Sequence, residues 1–191
     1  IQVKKSKATP YLGEKSKPMK TLAALCLTLA IVSPSFAQKT DIEKKLKDMG
    51  ITLPAPQKPI ANYVKAVRVG NLVFLAGHGP ANADGTYVTG KLGKDLTIPQ
   101  GYEAAKLTGL NLLTSLKAEI GDLNKVKRIV KVLGMVNCTV DFTDQPKVIN
   151  GFSDFMVTVF GENGKHARSA VGMYALPLNM AVEIEMIVEI G

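Results

Sequence analysis

The chain has 191 residues, 46% hydrophobic and 21% charged, so it can bury one substantial core, and neither a disordered chain nor a membrane protein fits that balance. A net charge of +8 points first to a nucleic-acid partner, but six of the 24 basic residues precede residue 38. Without residues 1–37, eighteen basic residues face fifteen acidic ones, a net charge of +3, and the electrostatic case for nucleic acid mostly disappears.

From Met19 the chain reads MKTLAALCLTLAIVSPSFAQKT: a basic start, an apolar run from Leu22 to Val32, then Ser35, Phe36 and Ala37 before Gln38. That is the layout of a secretory signal peptide, and the apolar run is too short to span a bilayer comfortably. Leu25 before Cys26, with the apolar run continuing beyond it, argues against a lipid anchor. Residues 1–18 read as upstream sequence or an extended basic leader. Residues 1–37 are therefore set apart from the fold, with 19–37 as the signal proper, and the expected location is the bacterial periplasm or the secreted fraction. Cys138 alone remains after cleavage, so no intrachain disulfide can form, and its apolar setting MVNCTV favours a buried structural thiol.

Asp41 to Met49 predicts a short amphipathic helix, with Ile42, Leu46 and Met49 on one stripe and Gly50 as a stop. The proline-rich linker ITLPAPQKP follows, so residues 38–61 read as an N-terminal helix and stiff linker ahead of the main domain, 62–191. Tyr63 to Ala76 predicts a hairpin turning at Gly70-Asn71. Gly77 to Gly93 carries five glycines and reads as a loop with at most a short strand around Tyr87. A helix is expected over Pro99–Ile120, a long strand over Val126–Val140 with a bend at Gly134, and a second helix over Pro146–Phe160. Two strands, Ala167–Ala175 and Ala181–Ile190, close the chain. This order predicts a two-layer α+β domain, a mixed sheet with two main helices on one face. The other face is left uncovered, which suggests that it packs against other subunits.

The chemistry-bearing residues cluster in the last two strands. Strand alternation puts Val182, Ile184, Met186 and Val188 on one face and Glu183, Glu185 and Glu189 on the other; a solvated face accounts for the acids on periodicity alone. The same parity groups Arg168 with Ala170, Gly172 and Tyr174. An arginine above such small neighbours leaves room for a carboxylate held by its planar fork. Equally, Arg168 could pair with Glu183 or Glu185 across adjacent strands. His78 and His166 lack a third ligand for a metal site, and surface or loop roles fit them better. No phosphate-binding glycine loop and no serine-hydrolase elbow occurs.

Two segments, ANYVKAVRVGNLVFLAGHGP and ARSAVGMYALPLNMAVEIEMI, in this order and at this separation, make the stretch from Ile42 to Ile190 resemble the reactive intermediate deaminase family, the YjgF-like or Rid proteins, also catalogued as endoribonuclease L-PSP. The leading helix and the form RSAVG are similar to its longer subgroup. The resemblance implies a chorismate-mutase-like fold and a homotrimer with ligand clefts between subunits. It also implies cofactor-independent and metal-free hydrolysis of amino-acid-derived enamines and imines to 2-oxo acids and ammonia. In that scheme Arg168 matches the arginine that holds the substrate carboxylate and Glu183 the glutamate that positions water. Tyr63, Gly77, Asn150 and Ala170 match further cleft positions. His78 stands where the deaminases commonly carry glutamine, His166 where a proline often precedes the Ala-Arg-Ser run, and Ala170 where many relatives carry cysteine. The other readings are a non-catalytic binder of small carboxylates and, with less support from the near-balanced charge, an endoribonuclease.

Overall fold

The computed structural model describes residues 41–56 and 61–191. The expected leader and signal peptide lie outside the described residues. Asp41 caps the first helix, α1 (Ile42–Asp48), by accepting from the Lys44 amide at 3.1 Å. Ile42 and Leu46, one turn apart, are buried in the main core, so α1 packs onto the domain.

The hairpin forms where expected, as β1 (Ala66–Val69) and β2 (Leu72–His78). Gly70 sits at its turn with φ of 61°, a left-handed conformation open to glycine at little cost. Strand β2 runs on through Gly77 and His78, two residues beyond the expected end. The glycine-rich segment after it makes isolated bridges, Ala81 to Tyr87, Thr89 to Met180, and Leu92 to Leu96 and Cys138.

Helix α2 (Ile98–Ile120) starts at a capping box in which Thr97 and Gln100 satisfy each other's backbone amides, and it stops at Gly121. Strand β3 (Val126–Asn137) follows, then α3 (Gln145–Phe160), β4 (Ala167–Met173) and β5 (Val182–Ile190).

The sheet order is β1-β2-β5-β3-β4. Only β3 and β4 are parallel; the other pairs are antiparallel, which makes the sheet mixed as expected. At Gly134, where the sequence predicts a bend, β3 pairs with β5 and β4 without a break in register. The register of β3 slips instead between Val126 and Arg128 and between Ile129 and Lys131. Gly134 is small for another reason: a Cβ on it would meet three atoms of Ile149 at 2.7 Å, so it is where α3 presses onto the sheet. Gly151 plays the same part between helices, since a Cβ there would lie 1.9 Å from the Tyr102 carbonyl oxygen of α2.

Val73, Leu75, Ile129, Val132, Ile184, Met186 and Val188 point to the helices and are buried. The opposite face carries Val67, Val69, Phe74 and Val171 in the open, 39% to 61% exposed. As the alternation predicts, Glu183, Glu185 and Glu189 share this uncovered face. No described helix is long and apolar enough to cross a membrane.

Candidate active site

Arg168 enters near the start of β4 and points to the helix side, where α3 meets it. Its Nη1 donates to Asn150 Oδ1 at 3.0 Å and to Ser153 Oγ at 2.9 Å. The expected alternative, an ion pair with Glu183 or Glu185, does not form. Strand β3 lies between β4 and β5, and strand parity sends Arg168 and the acids to opposite faces. Among the described residues, no carboxylate lies within salt-bridge distance of Arg168. Ala170, on the same face as Arg168, packs against the core. At Gly172 a Cβ would meet Gln145 Nε2 at 2.7 Å and Cys138 Sγ at 2.8 Å, so glycine lets these side chains approach the strand. The strand ends before Tyr174, which stands 91% exposed, so it does not join the Arg168 row as expected.

Glu183 lies on the other face, over β2. A Cβ on Gly77 would fall 2.0 Å from Glu183 Oε1, so only a glycine lets the carboxylate rest against that backbone. Burial holds the Glu183 carboxyl above the ordinary carboxylate range; the like charge of Glu185 adds to the rise and Lys65 opposes it. The raised pKa makes this carboxylate a stronger base than a solvated one, and the group can return the proton it takes. Tyr63 stands exposed ahead of β1, its ring 5.7 Å from Lys65 Nζ. Lys65 was not legible as a site residue, since only the pairing of β1 with β2 brings it toward Glu183.

The six candidate residues thus separate into two groups. Arg168, Asn150 and Ala170 lie on the helix side of edge strand β4, whereas Glu183, Gly77 and Tyr63 lie on or beside the uncovered face. Ser153 and His166 join the first group. Ser153 bridges Arg168 and His166, whose Nε2 is 3.0 Å from Ser153 Oγ. The sequence signal for Ser153 is its place one turn after Asn150 on α3.

His166 lies half-buried in the loop before β4, as a loop role predicts, whereas His78 is a buried residue of β2 and not a surface or loop group. His78 is 5% exposed, with Nδ1 2.7 Å from the Ala76 carbonyl and Nε2 2.7 Å from Ser115 Oγ. The carbonyl can only accept, so Nδ1 carries the proton and Nε2 accepts from Ser115. Burial pulls the His78 pKa down to about 4. His78 therefore ties β2 to α2 as a neutral ring. It also borders a cavity of about 300 Å³ between β2, α2 and the proline linker, which neither Arg168 nor Glu183 lines. Among the described residues, no three His, Cys, Asp or Glu side chains converge on a metal position.

A family model, "YjgF/chorismate_mutase-like, putative endoribonuclease", matches residues 43–190. The chain belongs to the YjgF/Rid family. Protein TCP17 of Trypanosoma cruzi is 42% identical to it, over 78% of this chain and 94% of that protein. A 2-iminobutanoate/2-iminopropanoate deaminase of Dermatophagoides farinae is 32% identical over 73% of this chain and 94% of its own length. The crystal structure of Atu1372 from Agrobacterium tumefaciens, a protein of unknown function, superposes with a TM-score of 0.73 at 43% identity, covering 80% of this chain and 96% of that one. The mixed sheet with helices on one face is the chorismate-mutase-like architecture of the YjgF/Rid proteins.

Proposed function

We propose that this YjgF/Rid protein hydrolyses small 2-imino and enamine carboxylates to 2-oxo acids and ammonia, in clefts where Arg168 of one subunit faces Glu183 of a neighbour. The observation that carries this reading is the separation of the two groups within one chain. The guanidinium has a coordinated nitrogen and an open edge on one side of the sheet, and a half-buried carboxyl with a raised pKa rests on glycine on the other. Neither half is sufficient alone, and the uncovered apolar face supplies the surface through which a homotrimer completes both. The similarity to the mite deaminase supports the substrate class.

The chemistry asks little of the protein. Arg168 fixes the substrate carboxylate, which orients the imine carbon in the cleft. Glu183 takes a proton from water as the oxygen adds to the C=N carbon, and the nitrogen is protonated. Collapse of the carbinolamine breaks the C–N bond, ammonia leaves, and the 2-oxo acid remains. An enamine enters the same route once its carbon is protonated. Every proton can pass through water and one carboxyl, so neither an organic cofactor nor a metal is needed in this scheme.

The test is ammonia release from 2-iminobutyrate or 2-aminoacrylate generated in situ, using protein beginning at Gln38. Arg168→Ala should abolish the acceleration over the uncatalysed rate. Glu183→Ala should keep 2-oxobutyrate binding and slow turnover by about 10²-fold or more. Stabilisation by 2-oxo acids without any turnover would favour a carboxylate-binding protein instead, and full activity in either variant would remove that residue from the mechanism.

A further inference from the structure

We infer that Ser153 and His166 are positioning residues for Arg168, and that they leave its Nε and Nη2 edge as the one that takes the substrate carboxylate; this rests on the proposed deaminase reading. The guanidinium carries two hydrogens on Nη1, and both are used, one on Asn150 Oδ1 at 3.0 Å and one on Ser153 Oγ at 2.9 Å. Three N–H groups remain on Nε and Nη2, and among the described residues these make no hydrogen bond. A carboxylate approaching end-on would have to displace Asn150 or Ser153, whereas a side-on approach meets two parallel donors already in place.

The proton directions behind this arrangement are fixed by a chain of acceptors. His166 Nδ1 lies 2.7 Å from the Gly164 carbonyl, which can only accept, so Nδ1 bears the proton and the Nε2 lone pair is open. Ser153 has one proton and has given its oxygen to Arg168, and His166 Nε2 at 3.0 Å is there to receive it. Each link is held by packing. Gly164 is buried where a Cβ would lie 2.2 Å from the Met156 carbonyl oxygen, which pins the turn after α3. The His166 ring meets Phe152 edge-on, with centroids 5.7 Å apart at 70°. Burial, and after it the Arg168 charge, holds the His166 pKa below its ordinary value, which preserves the accepting lone pair. A turn carbonyl, a ring, a helix hydroxyl and a guanidinium thus form one oriented series within residues 150–168. The arginine so held meets its anion with little side-chain freedom left to lose.

The test compares Ser153→Ala, His166→Phe and His166→Gln in protein beginning at Gln38. Phenylalanine keeps the ring against Phe152 and removes the acceptor; glutamine restores an acceptor. Calorimetric titration with 2-oxobutyrate should show Kd rising about tenfold in Ser153→Ala and His166→Phe and recovering in His166→Gln. In the imine assay KM should rise in step while kcat stays within about twofold. Unchanged Kd in both loss variants would overturn the positioning role while leaving the deaminase reading intact. If the parent protein neither binds 2-oxo acids nor turns over imines, the functional reading fails instead. Nitrogen NMR of histidine-labelled parent protein then decides the network by itself. It must show His166 protonated at Nδ1, with Nε2 bare, and an Nε2-protonated ring would overturn the proposal.

Discussion

His78 shows how a single side chain can set the acid sensitivity of the whole domain. Nothing in AGHGP marks the ring as buried, because its hydroxyl partner, Ser115, is 37 residues away on α2. The folded chain holds His78 neutral down to about pH 4, while the unfolded chain takes up a proton near 6.5. The folded-state pKa lies below the unfolded one, so the His78 contribution to stability is full above about pH 6.5, declines as pH falls toward 4, and changes no further below that. The gap between those two values corresponds to about 3 kcal/mol. His166 is shifted in the same direction by burial and adds to the loss. Urea unfolding at pH 7 and pH 4.5 should therefore show a steeper loss of stability in the parent than in His78→Gln. Equal losses in the two would contradict the buried neutral ring.

At the level of elements, local signals made the fold legible and non-local pairing did not. Gly70-Asn71, the caps at Gly121 and Gly161 and the helical spacing of α2 are each written within a few residues, and those elements appear close to their expected bounds. The insertion of β3 between β4 and β5 leaves no such mark, since a strand's neighbours are chosen by pairing across tens of residues. That one fact removes the Arg168 to Glu183 ion pair, which assumed adjacent strands, and separates the candidate residues into two groups. Tight approach also misled the reading of Gly134, where small size serves Ile149 of α3 rather than a bend. Gly151 is the sharper case, because the obstacle is backbone: a methyl group there would fall 1.9 Å from the Tyr102 carbonyl oxygen. Gly151→Ala must push α2 and α3 apart, and urea unfolding should report a loss of about 2 kcal/mol or more. A variant as stable as the parent would show that the two helices are not packed this closely.

At the scale of the whole molecule, the proposed function requires the Arg168 group of one chain to meet the Glu183 group of another. Val67, Val69, Phe74 and Val171 form an apolar field on the open face of the sheet, beside the Glu183 group, and among the described residues no element covers it. Closing that face against copies of the same chain buries the field and brings a second chain to the edges of the sheet. The sequence announced the open face of the sheet. It could not announce that Arg168 and Glu183 lie on opposite faces of that sheet, since that depends on strand order.

The most direct test mixes two disabled proteins, Arg168→Ala and Glu183→Gln, by co-expression or by unfolding and refolding them together. Each alone should be inactive toward 2-iminobutyrate. If every cleft takes its arginine from one chain and its glutamate from the next, each mixed trimer regains one intact cleft of three. Random mixing of equal amounts should then restore about a quarter of the parent activity. No recovered activity in assemblies shown by mass to be mixed trimers, or a protein that remains a monomer in solution, would contradict the shared site.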